Sequence, residues 1–416
     1  MGHYLVFDGG LMSAQVRDCD ICIVGNGAVG KAAALGFAQA GLRVNLLCAP
    51  GSGVPAVVPN PAPGSTADWD VRVYALNHVA HDLLSSLKVW DALDQARVAP
   101  VSAMQVQGGG IDAGRLGFDA YGAHVNELAW IIEDKNLNQA LDTALRFAQN
   151  LTLVQGRAQA LVVQPDAAQI VLDDGSSIRA SLIIGADGAQ SWVRGACDIG
   201  LDYRSYHQQG VVTNFECTKP HHGVAHQWFV QEQGIIALLP LPGNRVSLVW
   251  SAPDALAETL LREPLSALVE RLMPYCGEVL GALQPVLPEA IKAFPLRLMR
   301  PHSMIAPRVA LVGDAAHAVH PLAGHGMNLG FADVVDLLKV IKEKETHRDC
   351  GDARLLGRYQ RARKEEVMLM LATTDGLARL FASDLTPLRT IRDLGLNLLD
   401  RLPVIKNKLI AHAMGK

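Results

Sequence analysis

Residues 20–47 constrain the fold more than any other stretch of the chain. DICIV at 20–24 is a continuous apolar run of the kind found in a buried parallel strand. It enters Gly25-Asn26-Gly27-Ala28-Val29-Gly30 and then an alanine-rich helical segment that Gly41 stops, and 42–47 reads as the next strand. Strand, GxGxxG, helix, strand is the dinucleotide-binding pattern, because the glycines allow a tight turn and let a pyrophosphate approach the first N–H groups of the helix. Gly25, Gly27, Ala28, Val29 and Gly30 are therefore candidate binding residues. One expected part is missing. An acid that binds ribose hydroxyls normally ends the second strand. Here the strand ends in Cys48, and no acid occurs before Asp68, across a loop carrying Pro50, Pro55, Pro59, Pro61 and Pro63.

With 416 residues, half of them hydrophobic, the chain is long enough for two domains or one elaborated domain. A net charge of −4 gives no electrostatic footprint for nucleic acid. The seven cysteines are scattered and odd in number, which fits free thiols in a reducing compartment. Cys19 and Cys22 form a C-x-x-C on the first strand, a spacing that points them to opposite faces, so neither a redox nor a metal role is assigned. No apolar run reaches membrane-span length and no signal-peptide pattern precedes the first strand. The expected location is cytoplasmic, with peripheral attachment at the inner membrane as an option. Residues 1–11 lack a pattern, so Met12 is the expected start, or else those residues fray.

Further along, Arg72 lies beside a helical pattern at 78–93 and is a candidate pyrophosphate partner, with a surface ion pair as the alternative. Segments 102–107 and 115–119, flanking Gly108-Gly109-Gly110, read as antiparallel strands of a second sheet. Residues 127–147 have helical periodicity. Strands follow at 151–154, 160–163 and 169–172, with Asp174-Gly175 as a hairpin turn. SLIIGA at 181–186 is another buried run, ending in Asp187-Gly188 and a short helix with Arg194. From 203 to 250 the pattern becomes β-rich alternation carrying His207, His221, His222 and His226; their spacing gives no metal site. Residues 256–283 read as helix and 294–298 as strand.

The run VALVGDAAHAVHPLAGHGMNLG at 309–330 then repeats the strand-turn-helix theme with Gly313, Asp314, Gly324, Gly326 and Asn328, followed by an apolar helix. A glycine-rich turn opening a helix suits an anion or a ring that becomes anionic. Three loops thus end buried strands at 25–30, 187–188 and 313–314. In one parallel sheet they would surround a long dinucleotide, and FAD suits them better than NAD because the last turn offers a helix N-terminus to a second ring system.

GAVG after a strand, IIGADGAQSWVR, and ALVGDAAHAVHPLAGHGMNLGFADV resemble the three FAD motifs of the class A flavoprotein aromatic hydroxylases, of the para-hydroxybenzoate-hydroxylase type. Within that group the chain resembles the ubiquinone-biosynthesis ring hydroxylases, through RVYAL near Arg72, KPHHGVAHQWF, LLPLPGNRVSLVWS and the ending from DGLARLF to LIAHAMG. The similarity covers essentially residues 20–415. It implies an α/β fold: a discontinuous Rossmann-like FAD-binding domain (18–95, 115–200 and 300–345), an inserted antiparallel-sheet substrate domain (96–114 and 201–299) and a C-terminal helical region (346–416). It also implies that Gly25, Gly27 and Gly30 cradle the ADP moiety, that Arg72 meets the pyrophosphate, and that Asp187 and Gly188 form the second FAD loop. Gly313 and Asp314 would bind the ribityl or pyrophosphate region, and Pro321, Gly324, Gly326, Met327 and Asn328 would line the isoalloxazine. The sequence departs from the family at Cys48, where a Glu is usual, and at His325, where a Gln is usual. A metal reading of His317, His320 and His325 lacks a carboxylate or thiolate cluster.

The activity implied is hydroxylation of the aromatic ring of a polyprenyl phenol intermediate of ubiquinone biosynthesis, with NAD(P)H reducing FAD and O2 reacting through a flavin C4a-hydroperoxide. No residue stands out as the catalytic base. Alternatives are a hydroxylase of a small soluble phenol, a weakly flavin-binding subunit of a quinone-biosynthesis complex (suggested by Cys48) and a flavin-dependent reductase. Residues 388–416 alternate apolar positions with Arg and Lys, which suits an anionic membrane surface or another quinone-biosynthesis protein, or a solvated closing helix.

Overall fold

The computed structural model describes residues 15–51, 69–108, 114–287, 290–319 and 325–382. Expectations for Met12, the proline loop with Asp68, Gly109-Gly110, His320, Pro321, Gly324 and the segment 388–416 lie outside these residues, as does the side chain of His325.

The first apolar run forms strand Val16–Val24, whose end is almost completely buried. It lies at the middle of an eight-stranded sheet whose path runs Ile305–Ala306, Val309–Leu311, Ser177–Gly185, Val16–Val24, Val44–Cys48, Leu151–Gln155. The pairings from Val309–Leu311 to Leu151–Gln155 are all parallel. Parallel pairing hides both faces of the central stretches, which is why 21–24, 182–184 and 309–311 read as near-continuous apolar runs rather than as alternation, whereas Leu151–Gln155 is mostly exposed. Helix Ala28–Gln39 packs over the sheet, and Gly36 lets helix His325–Lys342 approach: a Cβ there would sit 3.1 Å from Leu338. Strand Ser177–Gly185 changes partner along one edge. Its first half pairs antiparallel with Ala168–Leu172, and its last residues pair with Val309–Leu311.

A second eight-stranded sheet is built on Leu201–Cys217, Arg245–Pro253, Gly234–Leu241, Val224–Val230, Ala103–Gly108 and Arg115–Asp119, with Leu283–Pro285 and Lys292–Pro301 both on Leu201–Cys217. It is antiparallel except where Val224–Val230 meets Ala103–Gly108. Helices Asp254–Arg262 and Leu265–Leu280 cover one face around Trp250 and Phe215. On the other face Ala225, Leu239 and Leu241 pack with Trp69 and a small sheet of Val73–Leu76, Ala129–Glu133 and Val98–Val101. The architecture is α/β, a Rossmann-like fold joined to a largely antiparallel sheet, with helices toward the C-terminus.

Three details differ from expectation. Residues 127–147 are not one helix: Ala129–Glu133 is a strand, and the helix begins at Asp134. Trp130-Ile131-Ile132 satisfy a helical period, but bulky β-favouring residues with ladder partners on both edges gain more as a strand. The expected helix at 256–283 is two, broken at Pro264, whose ring excludes a helical hydrogen bond. Arg115–Asp119 pairs with Ala103–Gly108, so this strand goes with the second sheet and not with the 115–200 part of the FAD-binding domain.

Segment 69–72 joins the sheets. The Trp69 ring lies between the guanidiniums of Arg97 and Arg245, at 4.9 and 5.2 Å. Asn214 donates to the Asp70 carbonyl at 3.0 Å, and the Asp70 N–H donates to buried Glu133 at 2.7 Å. Arg97 closes a bidentate pair with Glu133 at 2.6 and 2.8 Å. Burial raises the Glu133 carboxyl above its ordinary range although Arg97 pulls it down. This bracing fixes where Arg72 emerges.

Candidate cofactor site

The three loops emerge at the carboxyl ends of three adjacent parallel strands. In the first, Gly25 has φ +108°, and a Cβ there would sit 2.4 Å from the Ala186 carbonyl oxygen. A Cβ on Gly30 would lie 2.0 Å from the Gly25 oxygen, so this glycine lets the helix start against the turn. Gly27 caps helix Ala28–Gln39 without a side-chain hydrogen bond, and a Cβ there would meet nothing within 4 Å. Ala28 is buried, and Val29 packs against Gly313 and Gly330, which locks the first loop to the third.

In the second loop, Asp187 turns its carboxylate inward, accepting from Ser191 Oγ at 2.6 Å and from the Val193 N–H at 3.0 Å. It holds the short helix Trp192–Ala196, while Gly188, at φ +79°, faces open space. Buried Arg194 ties this loop to the third through the Ala315 carbonyl at 2.9 Å.

In the third, Gly313 has φ +61°, and its N–H donates to Asp333 at 2.9 Å. Asp314 is exposed, yet burial raises its carboxyl above the ordinary range, with His317 and Arg72 pulling the other way and Asp333 adding to the rise. Arg72 is near enough to act on this carboxyl; its guanidinium lies 5.3 Å from the Tyr74 ring centroid, and Tyr74 donates to Asp134 at 2.7 Å. On helix His325–Lys342, Gly326 has open space at its Cα, and Met327 packs against the first core. Asn328 uses its amide on the backbone: Asn77 N–H donates to Oδ1 at 3.0 Å, and Nδ2 donates to the Ala75 carbonyl at 2.8 Å. Those bonds hold the strand that follows Arg72.

The second strand ends as the sequence implies, without an acid. Cys48 is 2 % exposed, and burial pushes its thiol up. Close by, Lys31 pairs with Asp142 at 2.6 Å and donates to Asn138 at 3.1 Å. Burial also raises Cys19 to about 12 and Cys22 upward, so neither is a thiolate at neutral pH.

Sequence reasoning missed Asp333 and Arg363. The first left a signal, an acid among buried Phe331, Ala332 and Val334. The second lies in a run, RARKEE, that reads as a solvated face. Among the histidines, His221 binds the carbonyls of Leu241 and Gly243, both at 2.8 Å, and so shapes a turn. His226 is stacked on Trp228 on the helix-covered face, and burial lowers it to about 4.

The residues present fit a long dinucleotide: an uncapped helix start with a glycine gap and a carboxylate on a second turn, both at the carboxyl ends of parallel strands, with a cation near that carboxylate. A family model described as FAD binding domain matches residues 125–374, and one described as glucose inhibited division protein A matches residues 20–220. The chain is 34% identical over 411 residues to a ubiquinone hydroxylase of Rhodospirillum rubrum, covering 98% of this chain and 92% of that protein. It is also 34% identical to the 3-demethoxyubiquinol 3-hydroxylase of Escherichia coli, covering 95% and 98%. A crystal structure of a probable FAD-dependent monooxygenase from Pseudomonas aeruginosa superimposes with a TM-score of 0.73 at 22% identity, covering 91% of this chain and 99% of that one, which shows the shared fold. The family model and these relatives make the chain an FAD-dependent monooxygenase of the aromatic-ring hydroxylase class. Within it, the chain belongs to the family of ubiquinone-biosynthesis hydroxylases.

Proposed function

We propose that this enzyme hydroxylates the aromatic ring of a polyprenyl phenol intermediate of ubiquinone biosynthesis, with O2 as oxygen source and NAD(P)H as reductant. The observation that carries the reading is the convergence of the three loops at one sheet edge in a chain collinear with ubiquinone hydroxylases. Bound FAD supplies the redox chemistry and oxygen activation. The chain supplies the rest. Gly25, Gly27, Ala28, Val29 and Gly30 present the free N–H groups of the first helix to the pyrophosphate, and Arg72 neutralises it. Asp314 accepts from ribityl hydroxyls. Asp187, Gly188 and Gly313 hold the loops around them, and Gly326, Met327 and Asn328, with Pro321 and Gly324, serve the flavin ring. Water must be kept from the reacting ring, which falls to the second sheet and its contact with segment 69–72. The FAD-binding and substrate domains follow the boundaries set out above, with 115–119 moved to the substrate domain.

No described helix is long and apolar enough to cross a membrane. For a prenylated substrate we propose cytoplasmic enzyme at the inner-membrane surface, in contact with other quinone-biosynthesis proteins. Deleting the gene and identifying the accumulated quinone intermediate by mass spectrometry tests the function. A precursor lacking one ring oxygen supports it; an unchanged quinone profile overturns it. Label from ¹⁸O2 in the product separates hydroxylase from reductase. Comparable turnover of a prenyl-free phenol would favour the small-phenol reading.

A further inference from the structure

Beneath the third loop lies a buried ionic cluster that no step above uses. Asp333 is 0% exposed and accepts three hydrogen bonds. They come from the Gly313 N–H at 2.9 Å, from His317 Nε2 at 2.8 Å and from Arg363 Nε at 2.7 Å. Because a carboxylate only accepts, His317 carries its proton on Nε2. Arg363, also 0% exposed, comes from helix Ala353–Ala382, a separate element. It further contacts Asp336, Glu366 and the Leu329 carbonyl. On the same helix Tyr359 donates to the Leu311 carbonyl at 2.8 Å, in the strand that leads into Gly313.

A buried guanidinium-carboxylate pair is weak evidence for stability, since apolar residues of similar volume often serve as well. This pair has a geometric consequence that apolar residues would lack. Asp333 accepts from the N–H of Gly313 at its positive φ, and that turn sets where the neighbouring Asp314 faces. We propose that Asp333 and Arg363 are positioning residues of the FAD site, through which cofactor binding and the docking of helix Ala353–Ala382 are thermodynamically linked. By reciprocity, FAD tightens the helix by the same factor as the docked helix tightens FAD.

The charges around Asp333 give the proposal a signature in pH. Burial alone would raise its carboxyl, but His317 and Arg363 hold it below the ordinary range. Asp336 and Glu366 face Arg363, Tyr359 adjoins the cluster, and Asp314, with Arg72 and Tyr74, lies beyond His317. Without Arg363, His317 alone opposes burial, and Asp333 takes up a proton at higher pH than it does with both partners. A proton on Oδ1, the oxygen that Arg363 leaves, removes the charge from the carboxyl and weakens Oδ2 as the acceptor for the Gly313 N–H.

The test measures FAD affinity of the full chain by flavin fluorescence across pH, with hydrogen exchange of helix Ala353–Ala382 with and without FAD. Arg363→Gln should weaken FAD by about 10-fold or more at neutral pH and further on acidification. Arg363→Lys should recover part of the neutral-pH loss. Tyr359→Phe removes a bond of the same helix without touching Asp333; it should lower thermal stability and leave the pH profile of FAD affinity unchanged. FAD should slow exchange in the helix of the wild-type protein and do so less in Arg363→Gln. The linkage is overturned if folded Arg363→Gln binds FAD with wild-type affinity and pH profile, or if Tyr359→Phe shifts the profile equally. Should Arg363→Gln not fold, Glu366→Gln and Asp336→Asn, both at partly exposed partners of Arg363, take its place; wild-type FAD affinity and helix exchange in both then reject the linkage. None of these readouts depends on which phenol is oxidised.

Discussion

The two ends of the cofactor site are built on different principles. At the flavin end, Gly313 is held by Asp333, Asp333 by His317 and Arg363, and the neighbouring loop by Arg194, so the turn is braced from three elements. At the adenosine end, the second strand stops at a buried cysteine, and the nearest ion pair, Lys31 with Asp142, joins two helices to one another. Charge-assisted bonds are worth more than neutral ones, and buried acceptors are costly to leave empty. In the proposed FAD site the flavin end should therefore carry an unusually large share of binding, with the adenosine end relying on glycine geometry and helix-start N–H groups.

The comparison can be broken first at the glycines. Gly30→Val places side-chain atoms where a Cβ already falls 2.0 Å from the Gly25 oxygen, and FAD affinity should drop ~100-fold or more, read by fluorescence titration, because a misplaced loop loses all its oriented donors at once. Asp333→Asn leaves Arg363 buried with a weakened partner, and thermal or urea unfolding should show a loss of about 3–5 kcal/mol. A loss confined to the exposed-pair range of below ~1 kcal/mol would mean that the flavin end is no better braced than the other.

Acid titration sharpens the contrast once the second sheet is accounted for. Burial lowers His226 from 6.5 to about 4, so the folded state resists its protonation. Its contribution is full above pH 6.5 and is lost as pH falls toward 4, roughly 2–4 kcal/mol by linkage. His226→Gln should flatten the stability curve in that window. Asp333 is depressed instead, so its contribution is present above the ordinary carboxylate range and is lost only as pH falls below it. In the His226→Gln background, the flavin end should hold through mild acid. The smallest effect is expected at Cys48→Glu, which should tighten FAD by about 10-fold, the worth of one charge-assisted bond. Unchanged affinity would count against the weakness assigned to the adenosine end.

The sequence was most informative where local pattern and global packing demand the same thing. The runs ending in Val24, Gly185 and Leu311 have no reading except buried parallel strands, and the glycines after them mark the loops. It was silent where partners come from afar. Trp130-Ile131-Ile132 has an apolar period that either a helix or a strand satisfies, and only flanking strands from elsewhere in the chain decide it. Both ends of the Asn328 amide hold backbone at Ala75 and Asn77, a use that no local spacing displays and that comes in addition to the place proposed for it beside the flavin ring. Arg363 sits among charges and reads as solvated until Asp333 is seen opposite it.

Strand Ser177–Gly185 changes partner halfway along one edge, and this sets an order of events at the ribosome. Its first half can zip to Ala168–Leu172 as soon as both have emerged, being joined by a short hairpin. Its last residues wait for Val309–Leu311, which is synthesised only after the whole of strand Arg245–Pro253 and helices Asp254–Arg262 and Leu265–Leu280. At about 5–20 residues per second, that leaves an apolar strand edge open for several seconds in every nascent chain. An open apolar edge is a template for wrong pairing. Substitutions that slow the arrival or docking of Val309–Leu311 should accordingly reduce yield before they reduce turnover, the more so where chaperone capacity is short.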